Sequence, residues 1–292
     1  MKIKRAKYAF SLIELSVVIL IIGILIIGIS KGSRIISQAK ISTARNLSRN
    51  SFVYLNADNL SFWIDATSDS AFDSTIADGL AITNVYDVKP IKISTSAINF
   101  VPATTSPTYL SKSTNGLPGI KMSSSSNGLV KTGLFGRDLS LDGNQITMFL
   151  VYKYYSPLHS PTTIGWASDP IQNRILLHGA YGNGNVYFDF GNISTNGRIQ
   201  FPVPATFVGR SNIVVALRRT NNYGVVRING TPYGPSNTFN TPVNISLSDD
   251  LYIGGQFNGE MNEVIVFKNG LKDSEIVEVE KYLSAKWGIK LN

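Results

Sequence analysis

The hydrophobic pattern divides the chain into three regions. Residues 1–9 form a short basic leader, and an uncharged apolar run follows from residue 15 to residue 30. From about Asn59 onward, short runs of β-branched and aromatic residues alternate with Gly, Asn, Pro and Ser, which predicts strands joined by turns. The last twenty residues return to helical spacing. This order predicts a long N-terminal helix, a mainly β domain and a short C-terminal helix.

The predicted strands are short and evenly spaced, with no helices between them. Many such strands in succession predict an antiparallel sandwich. Asn229-Gly230 predicts a tight hairpin, because both residues tolerate positive φ. The clearest strands are expected at residues 60–65, 146–153, 185–190, 212–218, 224–228, 251–254 and 263–267.

Two segments have helical spacing outside the apolar run. Over residues 31–50, Ile36, Ala39, Thr43 and Leu47 recur at steps of three and four, which predicts an amphipathic helical stalk that either packs on the β domain along this face or is partly flexible. The C-terminal helix is expected to be capped by Asp273 or Ser274 and to stop at Gly288 after Trp287. Its predicted packed face consists of Ile276, Val279, Tyr282, Leu283 and Lys286.

The start of the apolar run has an ordered motif, Phe10-Ser11-Leu12-Ile13-Glu14-Leu15, preceded by Ala9 and four cations. A carboxylate within such an apolar segment costs a few kcal/mol in lipid, so Glu14 should have a partner and a role. The motif resembles the processing signal of type IV prepilins and type II secretion pseudopilins. The resemblance implies cleavage between Ala9 and Phe10, methylation of the new amine, and pairing of Glu14 with the amine of a neighbouring subunit. That family usually has Gly where this chain has Ala9.

The resemblance also implies partners and a location. The partners are a prepilin peptidase, other pilin subunits and the bacterial inner membrane. The protein would cross that membrane once, with a cytoplasmic N-terminus, and would then enter a periplasmic or extracellular filament. Residues 10–30 give about 31 Å of helix at roughly 1.5 Å per residue, enough for one crossing. A plain anchor fits this length but does not explain Glu14, and residues 30–34 lack a secretory cleavage site.

A second resemblance covers the β region. Residues 60–66, 225–230, 259–267 and 282–289 resemble the opening strand, central strand and turn, last strand and capping helix of concanavalin A-like, laminin-G-type jelly rolls. The expected domains are therefore a leader at 1–9, a transmembrane and stalk helix at 10–55, and a concanavalin A-like sandwich at 56–292. Such folds bind glycans through aromatic and amide side chains on loops. The candidates are Trp166, Tyr181, Asn183 and Asn185, each of which also fits packing or an ordinary surface position.

Composition excludes several classes of protein. The net charge is +8, but four cations belong to the leader, which leaves 23 basic against 19 acidic residues without a dense basic cluster. Nucleic-acid binding is therefore not expected. The absence of cysteine excludes thiol catalysis and disulfides, and the spacing of His159 and His178 suggests no metal site. No cofactor is expected, although calcium would be held if Asp65, Asp69, Asp73 and Asp249-Asp250 converged.

Enzymatic activity is not expected either. Glycoside hydrolysis needs two carboxylates that flank the scissile bond, and the best pair is Glu260 and Glu263. Residues three apart on a strand face opposite sides unless a bulge intervenes, so Glu263 is interpreted as a structural acid. The expected function is a pilin-like or pseudopilin-like subunit that displays an adhesive, glycan-binding head. The alternatives are a membrane-tethered lectin-like protein that does not assemble and, less favoured, a polysaccharide hydrolase.

Overall fold

The computed structural model describes residues 12–74, 76–90, 98–123, 128–132, 144–156, 162–169, 173–236, 238–239 and 250–292. Ala9, Phe10, His159 and Asp249 lie outside these ranges. The chain separates into two compact units, Met1–Thr43 and Ala44–Asn292.

The first unit is helical. Helix α1, Leu12–Arg49, occupies its described part and ends a few residues into the second unit. Large apolar side chains are exposed all around its N-terminal half, with Leu12 86%, Ile19 61% and Ile24 63% exposed. Among the residues that the structure describes, no helix combines the length and apolar character that crossing a membrane requires.

The predicted stalk is helical, but its apolar face is not the buried one. Ile36 is 62% exposed and Ala39 is also exposed, whereas Ala44 and Ser48 are buried in the second unit. Ser48 is buried because its hydroxyl donates to the Asp65 carboxylate at 2.9 Å. An apolar repeat could not identify this contact, since the contact is polar.

The second unit is an antiparallel sandwich of two eight-stranded sheets. The first sheet has the order β14-β13-β12-β7-β16-β5-β4, with β1 also paired to β16, and the second has the order β11-β10-β9-β8-β15-β6-β3-β2. In chain order the strands are β1 Leu60–Asp65, β2 Val85–Tyr86, β3 Asn99–Pro102, β4 Thr108–Leu110, β5 Gly119–Met122, β6 Leu129–Lys131, β7 Ile146–Tyr154, β8 Thr162–Asp169, β9 Asn173–His178, β10 Asn185–Gly191, β11 Arg198–Pro202, β12 Ser211–Arg218, β13 Gly224–Ile228, β14 Thr231–Ser236, β15 Leu251–Gly255 and β16 Gly259–Phe267.

The predicted fold class is confirmed: an N-terminal helix precedes an antiparallel sandwich and a short C-terminal helix. All seven predicted strands are present, and six of them agree with the structure to within one residue at each end. The seventh, β16, begins four residues earlier than expected, at Gly259. Asn229 and Gly230 form the predicted hairpin turn, with φ of 49° and 87°.

The core lies between the sheets and contains the inward side chains of both, such as Leu150, Phe188 and Ile253. Short helix α2, Phe52–Leu55, and a 3-10 turn at Ala57–Asn59 join α1 to β1, and a second 3-10 turn at Thr114–Gly116 lies between β4 and β5. Helix α3, Asp273–Trp287, covers part of the first sheet, where Arg227 on β13 forms an ion pair with Glu280 on the helix. Its N-cap is Lys272 rather than Asp273 or Ser274, because the Lys272 N–H donates to Glu275 at 2.7 Å. The five residues predicted for its packed face are all buried.

Candidate functional site

Glu14 lies in the first turn of α1, where the helix dipole favours a carboxylate. Its neighbours Leu12, Ile13 and Leu15 are 86%, 75% and 51% exposed. An apolar helical surface of this kind is the usual mark of a contact with another helix or with lipid. Glu14 is therefore a charged group at the head of a surface suited to association.

The β9–β10 hairpin brings three of the four predicted glycan-binding residues together. The Asn183 amide donates to the Tyr187 hydroxyl at 2.5 Å, and the Asn185 N–H donates to the Asn183 side-chain oxygen at 3.2 Å. The ring of Tyr181 packs edge-on against Tyr187 and His178, with centroids 5.4 Å apart in both pairs. We call His178, Tyr181, Asn183, Asn185, Tyr187 and Arg198 the hairpin patch.

A buried ion cluster supports this patch from one side. Asp189 is completely buried and accepts hydrogen bonds from Arg174 and Arg198. The Arg198 guanidinium lies over the Tyr187 ring, 4.6 Å from its centroid. Hydrogen bonding to Asp189 raises the pKa of Arg198 above its ordinary value. The cation and the aromatic ring are thus fixed relative to each other before any ligand arrives.

Strand register shows which way the patch faces. Leu177, Phe188 and Ile199 are paired across β9, β10 and β11, and all three belong to the core. The next row, His178 with Tyr187 and Tyr187 with Gln200, therefore points to the outer face of the second sheet. His178, Tyr187 and Arg198 were missed as site residues, because only strand pairing brings them beside the Tyr181 loop.

Trp166 differs from the expectation. It was predicted to lie in a loop flanked by Gly, Ser and Pro, but it lies in β8, opposite Ile175. The loop prediction was wrong because β8 pairs on both sides, with β9 and β15, and this pairing overrides the local turn residues. The side chain of Trp166 is outside the described part of the structure.

A second polar cluster lies deep beneath α3. The Lys286 ammonium is 2.7 Å from the Asp65 carboxylate and 2.8 Å from that of Glu263, and all three side chains are almost fully buried. Ser48 and Tyr282 also contact the ammonium, at 2.9 and 3.1 Å. We call these five residues the lysine cluster.

The charges in the lysine cluster are unequal, because one lysine faces two carboxylates. For Asp65, burial acts to raise the pKa, but Lys286 and the hydrogen bonds from Thr67 outweigh it and hold the pKa below its ordinary value. For Glu263, burial dominates and raises the pKa. Glu263 also accepts hydrogen bonds from Tyr282, Trp63 and Trp287, at 2.6 to 2.8 Å. This environment is consistent with the structural role expected for Glu263.

Glu260 and Glu263 do not face opposite sides of the strand, contrary to the simple alternation. The pairing of β16 with β7 shifts between Met261 and Glu263, so Asn262 is an extra residue. Glu260 then pairs with Lys153 and Glu263 with Val151, which places both glutamates on one face of the sheet. Their surroundings still differ. Glu260 accepts hydrogen bonds from Ser113 and Tyr155, whereas Glu263 is enclosed by the lysine cluster.

Three of the acids considered for calcium, Asp65, Asp69 and Asp73, have separate partners. Asp65 belongs to the lysine cluster, Asp69 pairs with Arg45, and Asp73 accepts hydrogen bonds from Thr83, Asn84 and Tyr86. Within the described ranges, no group of three or more His, Asp or Glu side chains is arranged to hold a metal ion.

Comparison with known proteins identifies the N-terminal segment. Residues 4–30 match the family model described as the prokaryotic N-terminal methylation motif. The chain therefore carries a prepilin-type motif that includes Ala9, Phe10 and Glu14. No curated protein matches the chain.

Several solved structures resemble the sandwich. Trypanosoma rangeli sialidase in complex with sialic acid is 15% identical with a TM-score of 0.50, and the match covers 80% of this chain and 34% of that one. Domain 4 of the arabinanase AbnA from Geobacillus stearothermophilus is 17% identical with a TM-score of 0.49, over 76% of this chain and 98% of that domain. The CBM40 domain of the Ruminococcus gnavus IT-sialidase is 19% identical with a TM-score of 0.43, over 56% and 96%. The sialidase match supports the sandwich fold, and this chain spans about a third of that enzyme.

Proposed function

We propose that the protein is a pilin-like or pseudopilin-like subunit of a type IV pilus or type II secretion filament. The methylation motif at residues 4–30 is the observation that carries this proposal. In this proposal the leader lies in the cytoplasm, a prepilin peptidase removes it by cutting before Phe10, and the new N-terminal helix is held in the inner membrane. Assembly with other pilin subunits then places the second unit in the periplasm or outside the cell.

The apolar surface of α1 agrees with this role. Side chains from Leu12 to Ile26 are open on all sides within the described chain, and a polar solvent is a poor environment for them. Neighbouring helices of a filament would cover this surface. The role is assembly and binding rather than turnover, because Glu263 is enclosed by Lys286 and two indoles, and Glu260 by a hydroxyl and a phenol.

Intact mass and N-terminal sequence test this proposal. The chain is expressed with and without a prepilin peptidase, and both products are analysed. With the peptidase we expect the protein to start at Phe10 with a methylated amine, and without it to retain residues 1–9. A leader retained in both samples would contradict the filament role and would favour the membrane-tethered, non-assembling alternative.

The head is proposed to bind glycans through a concanavalin A-like surface, the hairpin patch. Its accessible members, Tyr181, Asn183, Asn185 and Arg198, offer an aromatic ring, amides and a fixed guanidinium, which stack on sugar rings and bond to their hydroxyls. His178 and Tyr187 are only 6% and 7% exposed and support these side chains. The sialidase, the arabinanase domain and the CBM40 domain have been solved with carbohydrate ligands, which agrees with this role without assigning a ligand here.

A pair of variants tests the patch. Tyr181→Ala removes an aromatic wall of the patch, and Tyr54→Ala removes a 41% exposed tyrosine on α2 as the matched control. On a glycan array, we expect Tyr181→Ala to lose the signals that the wild type and Tyr54→Ala share. Equal signals for all three proteins would exclude the patch as the binding surface.

A further inference from the structure

A cleft lies at one end of the second unit, separate from the hairpin patch. It has a volume of about 500 Å³ and opens where the end of α3 meets the start of β12, the β13–β14 turn and the 3-10 turn at Thr114–Gly116. We call it the end cleft. The lining residues used here are Asn115, Arg210, Asn212, Asn229, Trp287 and Lys290.

Hydrogen bonds fix the amide side chains of the end cleft. Asn229 donates to the Asn212 side-chain oxygen at 2.9 Å, and Asn212 donates to the Phe207 and Arg210 carbonyls at 2.8 and 2.9 Å. Asn212 is only 3% exposed. The Asn229 side-chain oxygen accepts from the Ile213 N–H at 2.9 Å and can accept a second hydrogen bond. Half-buried Asn229 therefore remains able to contact a ligand, while buried Asn212 holds it in place. The walls are therefore ordered before binding, which lowers the entropy cost of recognition.

The helix end beside the cleft is also fixed. Gly288 ends α3 with φ of 64°, and the Asn115 amide donates to the Lys286 carbonyl at 3.0 Å. A helix C-terminus carries a partial negative charge of about half a unit. This hydrogen bond satisfies one of the last carbonyls of the helix, and two cations lie at the rim of the cleft.

Those cations are Arg210 and Lys290, both exposed. Within the described ranges neither forms an ion pair, and no Asp or Glu side chain lines the end cleft. An arginine binds a carboxylate through two parallel hydrogen bonds, and the surrounding amides and hydroxyls suit sugar hydroxyl groups. Two cations are too few to bind the phosphate backbone of a nucleic acid. A peptide is also disfavoured as the ligand, because the apolar side chains of Trp287 and Ile289 are almost fully buried.

We propose that the end cleft binds a carboxylated oligosaccharide. Arg210 and Lys290 contact the carboxylates, and the ordered amides contact the hydroxyls. This site shares no residue with the hairpin patch, and it does not depend on filament assembly. The head would then have two glycan-binding sites, the hairpin patch and the end cleft, and the end cleft would select for charged glycans.

Titration calorimetry tests the charge selection with the full chain in detergent. The probes are tetragalacturonate and its fully methyl-esterified form, which keeps the sugar and removes the charge. We expect the acid to bind about tenfold more tightly or better than the ester, because its carboxylates form charge-assisted hydrogen bonds that the ester cannot form. The double variant Arg210→Ala/Lys290→Ala should lose about tenfold or more in affinity for the acid.

Controls separate this site from the hairpin patch and from overall charge. Lys121→Ala/Lys281→Ala removes two exposed cations outside the cleft and should bind like the wild type. Tyr181→Ala should also bind the acid normally. Equal affinity for acid and ester, no binding of either, or unchanged affinity in the Arg210/Lys290 variant would overturn the proposal. If Tyr181→Ala lost binding of the acid and Arg210→Ala/Lys290→Ala kept it, the acid would be assigned to the hairpin patch. The end-cleft proposal and the hairpin-patch proposal can therefore fail separately.

Discussion

Lys286 is the residue on which the two buried carboxylates of the lysine cluster depend. It is the cation that contacts both Asp65 and Glu263, and all three side chains are at most 3% exposed. Removing one partner of a buried ion pair typically costs about 3–5 kcal/mol, because the remaining charge is left uncompensated. Lys286→Met should therefore lower the free energy of unfolding by about this amount in urea denaturation. Lys281→Met, exposed on the same helix, should change it by less than about 0.5 kcal/mol, and equal effects would contradict this account.

The two carboxylates of the lysine cluster give the stability opposite pH dependences. The folded-state pKa of Asp65 lies below its ordinary value of 3.8, so its contribution is present above that pH and is lost as the pH falls through the folded pKa. The pKa of Glu263 is raised above 4.5, so its contribution is present below that pH and is lost as the pH rises through the folded pKa. Denaturant unfolding between pH 3 and pH 8 measures the free energy of unfolding. Compared with the wild type, Asp65→Asn should lose less of this free energy as the pH falls, and Glu263→Gln should lose less of it as the pH rises towards neutral. Parallel curves for the wild type and both variants would exclude this assignment.

The sequence reveals these residues only one at a time. Asp65 was considered as a calcium ligand, Glu263 as a structural acid and Lys286 as one position on a helical face. Their meeting depends on β1 pairing with β16 and on α3 lying beside that pair. Such contacts between distant parts of the chain leave no periodic pattern. Tyr181, Asn183 and Asn185 could be grouped in advance because they share one short loop.

At the scale of elements, the end of α3 depends on a residue without a side chain. Gly288 has φ of 64°, and a Cβ there would lie 3.1 Å from the Asn115 side chain. Gly288→Ala should thus combine backbone strain of about 1 kcal/mol with displacement of Asn115 from the Lys286 carbonyl. Gly79→Ala is the matched control, since its φ is 79° and nothing lies within 4 Å. Thermal unfolding should show a larger loss for Gly288→Ala, and equal losses would mean that Asn115 adjusts without cost.

Strands and turns could be predicted from the sequence where the local side-chain pattern alone determines them. Regular strands such as Leu60–Asp65 and Gly224–Ile228, and the Asn229-Gly230 turn, follow from side-chain pattern and turn chemistry. The failures occurred where pairing decided the outcome. The bulge at Asn262 depends on the Asn262 side chain bonding to Ser113 and accepting a hydrogen bond from Thr114, which come from another part of the chain. Trp166 likewise lies in a strand because two neighbouring strands hold it there.

At the scale of the whole molecule, the two units should respond separately to mutation. Glu14 belongs to the first unit, and the lysine cluster and sandwich core belong to the second. In the proposed filament, Glu14 pairs with the N-terminal amine of a neighbouring subunit. Glu14→Val should therefore leave the thermal unfolding of the second unit unchanged and remove the protein from sheared filaments.

Ser16→Ala is the control for Glu14→Val, because it removes a polar group two residues away whose hydroxyl donates to the Ile13 carbonyl of its own helix. This variant should assemble at the wild-type level. Normal incorporation of Glu14→Val into filaments would show that the carboxylate has no role in assembly. A lowered unfolding temperature in the same variant would show instead that the first unit stabilises the second, because no residue of the sandwich core has been changed.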